Sequence, residues 1–334
     1  MGYAIKATRK LLIFTIVIAT ITLLLSGCGK SSISPLTEQT FALDTIISVT
    51  FYRERDRAAV QDALALCREY ELVFSRTDSC SELYRLNDAD CMEVSDDLRT
   101  VLETGLHYCE ASGGKFDVTM GGVSALYDFS GASPHVPAPE ALEEALSHVG
   151  FSHISIDGST VTIDDPDTVI DLGAIAKGYI ADEMKAFLRD RGVKHAIISL
   201  GGNVLTLGGK PDGSDYKVGI QYPEKDSAKL VTAVSVSNGS VVTSGIYERF
   251  FVEDDMTYHH ILDPATGAPL HNGLLAVSIV GPSSIDCDAL STACFALGLT
   301  DGMALIEATD GYEAVFITED QVLHPSSGFG ALEQ

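Results

Sequence analysis

The stretch that most constrains this chain is Asp171-Leu-Gly-Ala-Ile-Ala-Lys-Gly-Tyr179. The β-branched run Thr168-Val-Ile170 before it reads as a short strand. The residues after it, Ile180, Met184, Phe187 and Leu188, recur at helical spacing. Arg189 and Arg191 give the helix a basic last turn, and Gly192 stops it. Asp171 therefore falls at a strand end, Gly173 in a tight turn and Lys177 on the first turn of a helix. A helix N-terminus offers unpaired N–H groups to an anion. A carboxylate, a glycine and a lysine there suit a phosphate-bearing ligand. An ordinary strand–helix junction with a solvated lysine has the same composition, so this stretch alone does not decide.

The N-terminus carries an address. Lys6, Arg9 and Lys10 precede an apolar run, Leu11 to Leu25, which ends in Leu25-Ser-Gly-Cys28. This pattern reads as a lipoprotein signal over residues 1–27, with lipidation expected on Cys28. Residues 28–40 read as a polar tether. The expected location is the extracytoplasmic face of a bacterial membrane, held by lipid. The formal charge is −25. Loss of the three basic residues of the signal takes it to about −28, which argues against nucleic-acid partners and against direct adhesion to anionic lipid. The cysteines besides Cys28 are Cys67, Cys80, Cys91, Cys109, Cys287 and Cys294. Their spacing fits no zinc or disulfide framework.

The body from about residue 41 to 325 mixes strands and helices without regular alternation, so the class expected is α+β. Strands are expected over 41–51, 153–157, 160–163, 168–172, 195–200, 216–221, 230–237, 240–244, 258–262, 275–280 and 312–318. Helices are expected over 56–74, 98–111, 138–149 and 288–297, the last closed by Gly298. Lys115–Thr119 reads as an extended piece.

Three constellations bear on chemistry. Asp288 and Thr292 lie four apart near a helix start, on one face, and both offer oxygen. Hard cations such as Mg2+ take oxygen ligands, although an aspartate N-cap with a threonine behind it has the same pattern. His259 and His260 alternate faces on a strand, so at most one borders a shared cleft. A histidine suits general-base work near neutrality. Gly201-Gly202 and Gly113-Gly114 permit either close approach to a ligand or simple turns. The chain holds no P-loop, no dinucleotide-binding glycine motif and no Gly-x-Ser-x-Gly.

Seven short motifs occur in order: Ser81–Asn87, Gly114–Thr119, Asp171–Tyr179, Leu200–Asn203, Thr243–Arg249, His260–Gly267 and Asp288–Thr292. Together they resemble the ApbE family, the FAD:protein FMN transferases, from about Phe41 to about Thr318. The resemblance implies two intimately packed α/β subdomains with an FAD cleft between them. It implies Mg2+-dependent transfer of FMN from FAD to a Ser or Thr hydroxyl of an exported acceptor flavoprotein, with AMP leaving. By matched position, Ala174 (through its backbone oxygen), Asp288 and Thr292 would hold the metal. Leu43, Thr77, Lys115, Phe116, Asp117, Asp171, Lys177 and Leu262 would contact FAD. His260 would be the base, and His259, facing away, a silent control. An exported FAD pyrophosphatase and a flavin-carrying lipoprotein are the competing readings.

Overall fold

The long β-branched and aliphatic runs pair into one antiparallel sheet, and the amphipathic helices cover it. This architecture comes from a computed structural model, which describes residues 34–89, 91–129, 131, 133–224 and 229–333. The signal segment, Cys28 and the tether as far as residue 33 lie outside the described residues.

The strands are β1 (Leu36–Ala42), β2 (Thr45–Phe51), β3 (Cys91–Glu93), β4 (Ile154–Asp157), β5 (Thr160–Ile163), β6 (Ala196–Leu200), β7 (Asn203–Leu207), β8 (Tyr216–Gln221), β9 (Leu230–Val236), β10 (Ser240–Gly245), β11 (Phe250–Glu253), β12 (Met256–His259), β13 (Leu274–Gly281), β14 (Glu313–Thr318) and β15 (Leu323–Pro325). The helices are α1 (Arg57–Phe74), α2 (Glu82–Asn87), α3 (Asp96–Ala111), α4 (Gly121–Tyr127), α5 (Pro139–Ser147), α6 (Ala176–Asp190) and α7 (Ser284–Glu307). Eight strands join in the order β1-β2-β6-β7-β10-β13-β14-β15.

Strand alternation gives this sheet two different faces. Val242, Val277, Ala314 and Phe316 face one way and pack with Leu64 of α1, Ile180 of α6 and Leu290 of α7. Their neighbours Val241, Ala276, Val315 and Ile317 face the other way, against Val218, Ile220 and Val234 of the β8–β9 ribbon. The sheet is thus helix-covered on one side and ribbon-covered on the other. A third, smaller cluster joins Val123, Tyr127 and Leu262 to Phe251 and Tyr258 of the β11–β12 hairpin.

Several expectations change. The first strand is a hairpin: β1 and β2 are joined by Leu43 and Asp44, both at positive φ (54° and 57°). Its outer arm begins at Leu36, inside the segment read as tether. Thr168–Leu172 makes only one bridge, Val169 to Met120, because Asn87 occupies the backbone of Ile170 on both sides, at 2.9 and 3.0 Å. Lys115–Thr119 is a run of turns, organised by the Ser112 hydroxyl and the Asp117 carboxylate. The helix expected over 288–297 starts at Ser284 and runs to Glu307. Gly298 (φ 79°, ψ −179°) is non-helical and closes the first stretch as expected, and a second helical stretch continues beyond it. This 24-residue helix is long and apolar enough to cross a membrane, yet more than half of its most apolar window is buried inside the protein.

Candidate active site

The Asp171–Tyr179 stretch is fixed before the helix begins. The Asp171 amide donates to Val118, and its carboxylate accepts from Gly173 N–H at 2.8 Å and from Arg76 at 3.1 Å. The Ile175 and Ala176 amides both close on the Leu172 carbonyl, and α6 starts at Ala176. Lys177 is on the first turn, as its position predicts. Its ammonium folds back onto the Gly173 carbonyl at 2.8 Å and so caps its own turn.

The crossing of α6 and α7 is unusually close. A Cβ on Gly178 would lie 2.3 Å from the Ser284 carbonyl oxygen and 2.6 Å from Ile285 Cα. The Gly178 N–H, whose ordinary helical partner would be the Ala174 carbonyl four residues back, donates to Asp288 Oδ2 at 2.8 Å. Asp288 is not the N-cap of its helix. That role belongs to Ser283, and Asp288 sits one turn inside, 4% exposed. Burial raises its carboxyl pKa, while Lys177 and the Gly178 N–H pull it down. Thr292, one turn further, shares its hydroxyl with Ser244 of β10 at 3.0 Å, and Ser244 also meets Ser291. On the other side of the crossing, Asp182 Oδ2 accepts from the Ser284 and Ile285 amides at 2.8 and 3.0 Å. Burial pushes the Asp182 carboxyl up to about 6 against these two bonds.

His260 follows β12, and its amide donates to the Arg249 carbonyl at 3.1 Å. The ring Nδ1 lies 3.3 Å from that same carbonyl. A carbonyl only accepts, so Nδ1 carries the proton and the Nε2 lone pair is left for other work. The ring is half-buried. Loss of solvent, then the charges of Arg249 and Lys177, hold its pKa well below that of a free histidine, so it is neutral at pH 7. His259 does face the other way, but it is only 1% exposed, with Nε2 on the Leu270 carbonyl at 2.9 Å. It is a core residue, so its removal costs stability and it cannot serve as a silent control.

The remaining sequence-picked residues are spread around this centre. The Lys115 ammonium is 3.4 Å from Asp263, in the turn after His260. Phe116 is buried, and Asp117 ties down the Thr119 and Phe151 amides, which fixes the loop that presents Lys115. Thr77 is exposed, next to the Arg76 that holds Asp171. Leu43 sits in the β1–β2 turn with its amide on Glu71 at 2.6 Å. Leu262 is buried in the third cluster. The half-buried Ala174 lies in the turn before α6.

Glu248 lies inside the motif Thr243–Arg249 but is not among the site residues expected from the sequence. Glu248 is open to solvent yet crowded, and the surrounding protein raises its pKa while Lys177 and Arg249 oppose. A Cβ on Gly202 would come within 2.7 Å of its Oε1. The glycine pair before Asn203 thus leaves room for Glu248. Among the described residues, one three-membered His/carboxylate group has metal-like spacing, His148, Asp165 and Asp167. It belongs to the end of α5 and the loop before Val169, not to the helix crossing.

The donors at the crossing, a buried carboxylate, a hydroxyl and a neighbouring backbone carbonyl, are all oxygen. This is a fit for Mg2+, whereas softer metals would ask for sulfur or imidazole. The architecture is therefore that of an α+β protein whose polar centre joins a helix crossing to a hairpin-borne histidine. Residues 43–316 match the ApbE family model. The FAD:protein FMN transferase of Treponema pallidum is 35% identical over 90% of this chain and 89% of its own length, and one from Klebsiella pneumoniae is 31% identical over 81% and 86%. The solved ApbE protein of Thermotoga maritima superposes with a TM-score of 0.83 at 29% identity, covering 90% of this chain and all of that one. The flavin transferase ApbE of Vibrio cholerae gives 0.81 at 26%, covering 90% and 99%. The chain belongs to the ApbE family.

Proposed function

We propose that this protein transfers FMN from FAD to a Ser or Thr hydroxyl of an acceptor flavoprotein. The reading rests on family membership, on relatives that carry the name FAD:protein FMN transferase, and above all on one arrangement. A lysine on the first turn of α6, a buried carboxylate bonded to the next amide of that turn, and a histidine whose Nδ1 is held by a backbone carbonyl come from three separate segments.

Phosphoryl transfer needs positioning and neutralisation of charge more than covalent help. Lys177, on the first turn of α6, would leave the Gly173 carbonyl for the pyrophosphate. Asp171 and the loop carrying Lys115 would fix the flavin end, with Leu43, Thr77, Phe116, Asp117 and Leu262 along its length. Asp288, Thr292 and the Ala174 carbonyl would hold Mg2+, which when bound neutralises negative charge on the phosphates. His260 Nε2 would accept the acceptor hydroxyl proton as that oxygen bonds to the FMN phosphorus. The bond from that phosphorus to the oxygen of the AMP phosphate breaks, and AMP leaves with the electron pair. We further propose that Cys28 is lipidated and that the enzyme works on the outer face of the bacterial cell membrane, on exported redox subunits.

The deciding experiment incubates the mature protein with FAD and Mg2+, with and without an acceptor bearing a Ser/Thr flavinylation segment. AMP together with a flavin-labelled acceptor is expected. AMP with only free FMN would make the protein a pyrophosphatase, and no AMP at all would make it a carrier.

A further inference from the structure

The crossing of α6 and α7 is closed by a reciprocal pair of carboxylates, and only one of them belongs to the proposed metal site. Gly178 and Asp182 stand one turn apart on α6, and Ser284 and Asp288 stand one turn apart on α7. The acid of α7, Asp288, takes an N–H from the start of α6. The acid of α6, Asp182, takes the first two N–H groups of α7 through a single oxygen. The Ser283 hydroxyl, as N-cap, faces the next amide, Asp286. Asp182 therefore supplies two of the three partners at that helix start, from another helix and a hundred residues away. The absence of a side chain at Gly178 lets the backbones meet directly. Rotation of α7 about its axis would break both Asp182 bonds and carry Asp288 and Thr292 off the face they share.

We infer that Asp182 is a positioning residue for the metal-binding face of α7, acting through the Ser284 and Ile285 amides and touching neither metal nor substrate. This rests on the metal reading above. Groups that orient ligands in this indirect way typically change metal affinity by about 10–100-fold when removed. An ordinary helix cap would change only stability.

The test titrates Mn2+ into the FAD-free mature protein, followed by electron paramagnetic resonance, and measures amide exchange at Gly178 without metal. Asp182→Ala should raise the Mn2+ Kd by about 10-fold or more and speed Gly178 exchange, because the Asp288 carboxylate loses its fixed orientation. Asp182→Asn keeps one oxygen able to accept both amides and should fall well short of the roughly 10-fold loss expected of the alanine variant. Asp182→Glu keeps charge and fold but displaces the acceptor, and should resemble the alanine variant. A lowered melting temperature with unchanged Mn2+ Kd and unchanged Gly178 exchange overturns the inference. If Asp288→Ala binds Mn2+ as wild type does, the metal reading fails instead. Gly178 exchange in the Asp182 variants then decides by itself whether Asp182 orients Asp288.

Discussion

In the proposed reaction the helix crossing and the β11–β12 hairpin would supply opposite sides, and they are held by different physics. At the crossing, charged and polar groups are buried or half-buried and each has a specified partner: Asp288 with Gly178, Asp182 with Ser284 and Ile285. The hairpin is a two-stranded ribbon, a structure marginal on its own in water. It turns through Asp254 and Asp255, both at positive φ, and leaves Val252 61% and Met256 55% exposed. Its anchor is a run of rings: Tyr258 stacks on Phe251 at 5.3 Å, Phe251 meets Phe129 at 5.7 Å, and Phe129 stacks on Tyr127 at 5.0 Å. Each such pair contributes about 0.5–1.5 kcal/mol beyond burial. The side that would hold a small, fixed pyrophosphate is clamped by directional bonds. The side that would receive a whole protein rests on adaptable stacking. The two sides should therefore fail separately.

The largest effect is expected at the crossing. Asp288→Ala should reduce FMN transfer to background while the far-ultraviolet dichroism remains that of the folded protein. Normal transfer by this variant at saturating Mg2+ would remove the proposed metal site and with it half of the contrast. Next comes the hairpin. His260→Ala should slow transfer by roughly 10²-fold or more, within the usual range for a lost general base, and leave the FAD Kd nearly unchanged. If instead the variant acts by expelling FAD, the histidine belongs to the binding surface and the two sides are not distinct.

Lys177→Ala comes third. Its ammonium bonds an exposed carbonyl in the free protein, so the melting temperature should hardly move. Loss of a charge-assisted bond to phosphate should raise the FAD Kd by about tenfold or more. An unchanged Kd in calorimetry would return this lysine to the solvated surface.

The smallest effect concerns pH and His259. Burial, with His271 nearby, lowers its pKa to about 4, against the pull of the Leu270 carbonyl. In the unfolded chain it titrates at about 6.5. Between these values the unfolded state binds a proton that the folded state refuses, so stability is lost as pH falls from about 6.5 towards 4, at no more than about 1.4 kcal/mol per pH unit. Thermal melts at pH 7.5 and 5 should show a smaller difference in His259→Gln than in wild type. Equal differences would mean that the ring is not held neutral and that the root of the hairpin is wetter than the structure implies.

What the sequence disclosed follows from the range of the forces involved. Helix α6 was legible because its stripe, its basic last turn and Gly192 all act within a few residues. Gly298 was legible as the end of the first stretch of α7, because its backbone leaves helical geometry locally, whereas the second stretch beyond it depends on burial of the next turns against β14. The Thr168–Leu172 run has strand composition, but Asn87, from another element, takes its backbone bonds. At the site, the individual motifs became informative only through their shared order. Asp182 gave no signal at all, since its partners lie 102 and 103 residues away. Glu248 could have been found, because it sits inside a motif whose neighbouring glycines leave it space.

The turn between β1 and β2 carries a further consequence. A two-residue hairpin loop with both residues at positive φ is best served by Asn-Gly, and a leucine there strains the backbone by about 1–2 kcal/mol. The Glu71 carboxylate on the Leu43 amide helps to hold that unfavourable shape. If Leu43 lies against a flavin, as proposed, then selection keeps a residue that the empty fold would discard. Thermal screening for stabilised variants would favour Asn or Gly here and would erode ligand binding without any sign in the melting curve. A side chain at odds with its own turn is thus itself a clue to function, and it can be found without knowing the ligand.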